Sequence, residues 1–469
     1  MQASETRRLS RAWAALREAM AGGEHDFTSG SLPRAVLLLS VPMVLEMSME
    51  SVFGVLDAFF VGSLGPDAVA AVGITEALLT VIFAVALGLS MSTTAMVARR
   101  VGEGDHDAAA VASVQSIALG VLISVPVAVF ALFASDWLLE LMGAPAAVAR
   151  DGSVYAMWIL GGSPAIFLLF LINAIFRGAG DPSLAMRSLW LANFVNIVLD
   201  PCLIFGLGPF PELGLAGAAI GTTVGRSVGV LYQLRALQKA SGRIVVRREH
   251  LRLDAPVMLR LLRMSLGGIG QFLIATASWL GLVRILTPFG SAALAGYTIA
   301  IRIVVFAILP AWGMSNAAAT LVGQNLGAGK PDRAERSVWL TGLLNMFFLG
   351  GVAVVFVLFA DPLVRIFTRD PAALAFGADC LRLISYGYVF YAWGMVVVQA
   401  FNGAGDTTTP TWVNFFCYWL FQIPLAWALA RPLGLGPNGV FLAITISESL
   451  LAVVGILLFR RGRWKTRVV

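Results

Sequence analysis

The stretch that most constrains the fold is 37–62, LLLSVPMVLEMSMESVFGVLDAFFVG, which is apolar and long enough to cross a membrane as one helix. It nevertheless contains Glu46, Glu50 and Asp57. At about 100° per residue, the three carboxyl groups lie within about 40° of one another on one helix face. Each acid at mid-membrane costs roughly 2.5–3.5 kcal/mol, so this face cannot contact lipid. The acids must face the protein interior or a water-filled cavity, where an ionisable group indicates a functional site.

The composition is that of a membrane protein. Of the 469 residues, 58% are hydrophobic and 13% are charged, and the mean hydropathy is +0.83. Runs of about 20 apolar residues predict an all-α membrane protein with twelve transmembrane helices. We place the spans near 37–62, 68–97, 108–134, 153–176, 187–206, 214–237, 264–287, 292–322, 338–360, 379–401, 410–430 and 438–459.

The distribution of Lys and Arg predicts the orientation. An even number of spans puts both termini on one side, and the tails and loops on that side hold 25 of the 33 Lys and Arg residues. The opposite loops hold only Arg150, Arg365, Arg369 and Arg431. We therefore expect both termini to be cytoplasmic and the chain to lie in the inner, or plasma, membrane. The net charge of +6 follows from this topology, so no nucleic-acid partner is expected.

The sequence indicates neither an enzyme nor a cofactor protein. The three cysteines lie in or beside spans without metal-ligand spacing, and the three histidines all fall outside the spans. No span pairs a nucleophile with a base. The opening segment, MQASETRRLSRAWAALREAMAGGEHDF, lacks the features of a secretory signal and is typical of a short amphipathic helix.

The chain contains an internal duplication, in which matching landmarks recur at one constant offset. Gly65 corresponds to Gly290, Gly102 to Gly327, and FRGAGD at 176–181 to FNGAGD at 401–406. Each half holds six helices in the same orientation, which predicts two six-helix bundles related by a pseudo-two-fold axis along the membrane normal. Such parallel repeats are an architecture of secondary transporters. The predicted parts are an N-terminal segment (1–36), a first lobe (37–237), a linker (238–263), a second lobe (264–459) and a basic tail (460–469).

The fifth predicted helix, LWLANFVNIVLDPCLIFG, carries a polar stripe. Asn193, Asn196 and Asp200 are spaced i, i+3 and i+7, so they share one face that can meet Asp57 across the first lobe. Pro201 also leaves the carbonyl of the residue four positions earlier without its helical donor. Two carboxylates and an amide around one buried point can share a proton or coordinate Na+, and the residues do not decide between the two.

The repeat provides a control for this cluster. The positions of the second half that correspond to Asp57, Asn196 and Asp200 hold leucine, phenylalanine and leucine. A polar residue needed only for folding would tend to recur in both halves, so the sequence predicts that the functional acids are confined to the first lobe.

The spacing LDAFFVGSLGPDAVAAVG, the glycine-rich loop after the second helix, the paired GAGD loops and the six-plus-six repeat resemble the multidrug and toxic compound extrusion (MATE) family over about 35–460. The resemblance implies a monomeric twelve-helix antiporter that exports diverse, mostly cationic and amphipathic drug-like compounds in exchange for H+ or Na+. It further implies a first-lobe cation site, which by position would be Asp57, Asn196, Asp200 and Thr222. This pattern favours the DinF-like branch, because the seventh predicted helix offers only Gln271 and the tenth has no mid-span acid.

Six residues are candidates for the substrate cleft. Glu46 and Glu50 either line the cleft and attract cationic substrates, or lie shallow enough in the membrane to be solvated. Met43 and Met47 either form an adaptable apolar wall or belong to a packed core. The full set is Glu46, Glu50, Asn193, Met43, Met47 and Gln271. An alternative function within the same architecture is a flippase for a lipid-linked precursor or polysaccharide.

Overall fold

The protein was analysed as a computed structural model, which describes residues 16–23, 25–238, 244–467 and 469. Twelve helical units, labelled α1 to α12 in chain order, account for the architecture of this part of the chain. They are Leu32–Gly62, Pro66–Glu103, His106–Leu141, Ala146–Gly161 with Ser163–Ala179, Pro182–Phe205, Gly214–Gln238, Ala255–Leu286, Ser291–Gly327, Pro331–Leu358, Pro371–Ser385 with Tyr388–Gly403, Thr408–Ala430, and Pro437–Arg460.

The predicted spans are confirmed as helices. Ten helices in the described part of the chain are long and apolar enough to cross a membrane, and the two halves of α10, bent by 59°, form an eleventh such span. Helix α6 is not among them, because glycines and Arg226 lower its apolar character. It nevertheless matches the predicted span 214–237 and packs along α5.

Repeat-related glycines adopt the same backbone conformation in both halves. Each lies at a helix end with a positive φ, which only glycine adopts readily. The pairs are Gly65 and Gly290 (φ 103° and 99°), Gly104 and Gly329 (79° and 69°), and Gly180 and Gly405 (88° and 82°). The duplication read from the sequence is therefore a duplication of structure.

Helices α1 to α6 form the first lobe and α7 to α12 the second. The lobes meet through α1 and α2 on one side and α7 and α8 on the other. At the end of the bundle that carries the termini, the two lobes are in direct contact. There, Gln324 Nε2 donates to the Gly178 carbonyl (2.9 Å), and Thr320 Oγ1 donates to the Arg177 carbonyl (3.1 Å). The lobes are therefore closed against each other at this end.

Two predicted boundaries differ from the structure. Residues 255–263, predicted as the end of the linker, belong to α7, which runs unbroken for 32 residues. Asp254 caps this helix by accepting a hydrogen bond from the Val257 amide (3.1 Å), so the capping residue sets its start. Of the predicted N-terminal helix, residues 16–21 are helical, and residues 1–15 lie outside the described part of the chain.

The segment after α12 joins the two lobes. Arg467 forms an ion pair with Asp406 of the second lobe (3.2 Å), and its carbonyl accepts a hydrogen bond from Arg99 of α2. Nearby, Lys465 lies 2.6 Å from Glu335, and this hydrogen bond raises the pKa of the lysine ammonium group. The lysine therefore keeps its charge over the neutral pH range.

Candidate functional site

The polar stripe of α5 forms a hydrogen-bonded cluster with α6. Asn196 Nδ2 donates to Asp200 Oδ1 (3.1 Å) and to Thr222 Oγ1 (2.9 Å). All three side chains are at most 7% exposed. Thr223, the neighbouring threonine, instead donates to the Trp158 carbonyl (3.2 Å). The structure therefore brings together three of the four residues that the sequence assigns to cation coupling.

Asp57, the fourth residue, is half-buried on α1 and lies close enough to Asp200 for the two carboxylates to interact electrostatically. Arg226 of α6 and Glu76 of α2 also interact with Asp57 through their charges. The Arg226 guanidinium is held 5.9 Å from the centre of the Phe83 ring. The first lobe thus contains two interacting carboxylates.

The cluster can hold a small cation or a proton. Asn196 Oδ1 is buried and accepts no hydrogen bond from the described residues, which leaves one amide oxygen beside the Asp200 carboxylate. Carboxylate, amide and hydroxyl oxygens are the ligand types that hard cations such as Na+ prefer. Among the described residues there is no group of three or more His, Cys, Asp or Glu side chains that could hold a metal ion.

A row of glycines on α6 allows this close approach, and the sequence analysis missed it. Gly217, Gly221, Gly225 and Gly229 recur every fourth residue and face α5. A Cβ atom at Gly221 would collide with Asp200 Oδ1, and one at Gly225 would collide with the Ala192 carbonyl. Small residues at this spacing let membrane helices pack backbone to backbone, so their period is a sequence signal for the contact.

The structure overturns both predictions for Glu46. This acid is 1% exposed, and its Oε1 atom accepts hydrogen bonds from Arg177 Nη1 (2.9 Å) and Asn173 Nδ2 (3.1 Å). Asn173 Oδ1 in turn accepts hydrogen bonds from Gln233 (2.6 Å) and Ser188 (3.0 Å). Glu46 is therefore neither solvated nor a lining residue of the central cavity, because a guanidinium balances its charge within a network of α1, α4, α5 and α6. Its Oε2 atom accepts no hydrogen bond from the described residues.

Glu50 forms the next polar layer along α1. Its Oε2 atom accepts a hydrogen bond from Asn193 Nδ2 (3.1 Å), and Arg226 lies close enough for charge interaction. Neither Glu50 nor Asn193 lines the central cavity between the lobes. The contact instead joins α1 to α5. It lies one turn after Glu46 on α1 and two turns before Asp200 on α5.

The central cavity encloses about 40 Å³ at the junction of the lobes. Of the six cleft candidates, only Met47 lines it directly, together with Arg177 and Asn402. Gln271 stands one layer behind and donates to Asn402 Oδ1 (3.0 Å). Met43 is 1% exposed and packs in an apolar cluster with α8, so it belongs to the core.

The second lobe contains a mid-span acid, Glu448, that the sequence analysis did not consider. Glu448 lies near the middle of α12 and accepts hydrogen bonds from the Tyr418 hydroxyl (3.2 and 3.4 Å). It lines a cavity of about 260 Å³ among α7, α8, α10, α11 and α12. The signal was present in the sequence, because Glu448 is an acid inside an apolar run, the same observation that identified Glu46.

The fold and its buried carboxylates define a polytopic transporter built from two six-helix lobes. The MatE family model matches residues 42–202 and 269–428, once in each lobe. The chain therefore belongs to the MatE family of membrane transporters. Both the family and the twelve-helix fold that the sequence resemblance implied are confirmed.

Three relatives illustrate the similarity. A probable multidrug resistance protein NorM of Thermotoga maritima is 28% identical and aligns over 93% of this chain and 94% of its own length. A FAD transporter of Shewanella oneidensis is 24% identical over 93% of this chain and 96% of its own. A solved outward-facing conformation of a multidrug resistance MATE family transporter is 27% identical, with a TM-score of 0.88 over 94% of this chain and 98% of that one.

Proposed function

We propose that the protein is a cation-coupled antiporter of the inner membrane that exports cationic, amphipathic drug-like compounds by alternating access, with both termini cytoplasmic. H+ or Na+ binds at Asp57, Asn196, Asp200 and Thr222, and its binding and release bias the first lobe between two conformations. Lys and Arg placement supports the orientation, and the names of several relatives support drug export.

One observation carries the proposal. Asp200 is 1% exposed and interacts with a second carboxylate, Asp57. Among the described residues, its side chain receives only an amide hydrogen bond, from Asn196. Two carboxylates that interact inside a membrane are costly unless a proton or a cation neutralises part of their charge. A site whose charge changes with occupancy is what ion coupling requires.

Dye efflux from proteoliposomes tests this function, with a proton gradient and a sodium gradient imposed separately. The wild-type protein should expel an ethidium-type dye under one of the two gradients. Asp57→Asn and Asp200→Asn should abolish gradient-driven efflux, whereas Asp67→Asn, which changes an exposed aspartate at the start of α2, should not. Full transport by both site variants would refute the assigned site.

The alternative is transport of an anionic or lipid-linked substrate, as by a flippase or the FAD transporter among the relatives. Arg177 at the central cavity is the observation in its favour. However, the guanidinium lies 2.9 Å from Glu46, which neutralises it. Competition experiments with FAD and with a lipid-linked sugar during dye efflux distinguish these functions, and we expect neither compound to inhibit.

A further inference from the structure

The second lobe contains a cavity of about 260 Å³ that the proposed coupling site does not use. Its wall combines an acid, Glu448, with aromatic side chains that include Tyr391, Tyr418 and Trp279. The cavity lies near mid-membrane, since Glu448 is the twelfth residue of the 24-residue helix α12. It is therefore a partly open cavity in the second lobe, with its own acid.

The charge of Glu448 is not balanced by the protein. The Tyr418 hydroxyl donates to both carboxylate oxygens, and no salt bridge to Glu448 occurs within the described ranges of the chain. This contrasts with Glu46, which has Arg177 at 2.9 Å. Glu448 is half-buried near the middle of α12, and a carboxylate at this depth without a cationic partner is costly unless it takes up a proton or meets a positive charge from outside the chain.

The backbone of α11 is irregular at this wall. Residues Phe415–Gln422 form eight residues of π-helix within an otherwise α-helical span. Such segments are rare and occur frequently at functional sites. This segment presents Tyr418 to Glu448 and Gln422 to Ser278, whose hydroxyl donates to Gln422 Oε1 at 2.9 Å. The π-helix thus orients two polar groups of the cavity wall.

The size and the lining favour an organic cation over a proton or a metal ion. A water molecule occupies about 30 Å³ in the liquid, so this cavity has room for a molecule of several heavy atoms. Aromatic faces attract ammonium groups through their quadrupole, and the attraction grows when the site excludes water. Tyr388, Tyr391, Tyr418 and Trp279 supply such faces around the acid.

We propose that this cavity binds a lipophilic quaternary ammonium ion, with Glu448 as the counter-charge and the tyrosine rings packed against the alkyl groups. The inference rests on the proposed export function for its role, as a substrate site in the second lobe separate from the ion site in the first. Binding itself requires no gradient, so it can be measured independently of transport.

Isothermal titration calorimetry of the full chain in lipid nanodiscs provides the test, with phenyltrimethylammonium as the probe. Its neutral isostere tert-butylbenzene should bind at least about tenfold more weakly, because it lacks the charge. Glu448→Gln should weaken phenyltrimethylammonium binding by a similar factor. Tyr391→Leu should weaken it severalfold, whereas Tyr386→Leu, a nearby exposed tyrosine outside the cavity lining, should not.

Asp57→Asn separates the two proposals, since it should abolish gradient-driven efflux yet retain phenyltrimethylammonium binding. Thermal unfolding of every variant confirms that it is folded. Unchanged binding in folded Glu448→Gln, or equal binding of the neutral isostere, would overturn the proposal. The same holds if Glu448→Gln alters only the pH dependence of efflux, because Glu448 would then be a proton site.

Discussion

In the first lobe, three acids accept hydrogen bonds from side-chain nitrogen atoms. The donors to Glu46 and Glu50 lie on neighbouring helices, and the donor to Asp200 lies one turn earlier on the same helix. In the second lobe, Glu448 is met by a tyrosine hydroxyl and adjoins a cavity of about 260 Å³. The two lobes repeat one fold but not one chemistry. The first lobe combines structural pairing with the proposed ion site, whereas the second has an acid without a cationic partner beside a cavity.

Helix packing explains part of this difference. The glycine row of α6 lets the α5 backbone approach closely, and the corresponding positions of α12 hold Leu442, Ile446, Leu450 and Val454. Leu450 and Val454 pack against Val413 and Cys417 of α11. The contact between α11 and α12 is therefore made by larger side chains than the contact between α5 and α6.

The largest expected effect is on the ion pair of the first lobe. Glu46→Gln leaves Arg177 buried without its counter-charge, so we expect the free energy of unfolding to fall by about 3–5 kcal/mol. Reversible unfolding in mixed micelles measures the change. Glu50→Gln is the comparison variant, and it should cost less, about 1.5–3 kcal/mol, because it weakens one charged hydrogen bond while Arg226 keeps Asp57 as a nearby carboxylate. Equal losses would mean that the Arg177 pair is not structural.

A medium effect is expected at the α5–α6 contact, where the first lobe has glycines and the second lobe has larger side chains. Gly221→Ala places a methyl group against Asp200 Oδ1, so it should cost about 1–3 kcal/mol of stability and abolish gradient-driven efflux. Gly73→Ala in α2 is the control, since its Cβ would meet no atom within 4 Å. Normal efflux by Gly221→Ala would show that the close α5–α6 contact does not shape the ion site.

The smallest effect is expected at the second-lobe equivalents of the ion site. Leu282 is 1% exposed, and Leu425 packs against the same apolar cluster. Changing either to methionine should cost less than about 1.5 kcal/mol, because the volume is nearly conserved, and ion-driven efflux should persist. Parallel measurements of unfolding and efflux check both statements. Loss of coupling in either variant would place part of the ion mechanism in the second lobe.

Sequence analysis missed Glu448 because the two halves were compared only from first-lobe polar residues to their second-lobe equivalents. Asp57, Asn196 and Asp200 correspond to apolar residues in the second lobe, which is correct. The reverse comparison, at the same offset, gives Thr223 for Glu448 and Asn193 for Tyr418. The polar contact of the second lobe is thus shifted relative to the ion site and does not fall on the three positions that were compared.

The sequence by itself determined the helices, their order, the duplication and the polar stripe of α5. These follow from local patterns, because apolar run length sets a membrane span and helical period sets which residues share a face. Asn196 and Asp200 could be placed together for that reason, whereas Thr222, on another helix, was assigned through the family resemblance. The glycine spacing of α6 is also a local pattern, and it could have predicted the close contact with α5.

Tertiary structure alone decided which buried charges are balanced. Arg177 lies far along the chain from Glu46, and only the tertiary structure brings their side chains together. The cavity beside Glu448 depends on how five helices separate, and the π-helix of α11 depends on the packing around it. Ion pairs between helices and the volume of a cavity depend on the distances between helices. The residue pattern of a single helix does not determine those distances.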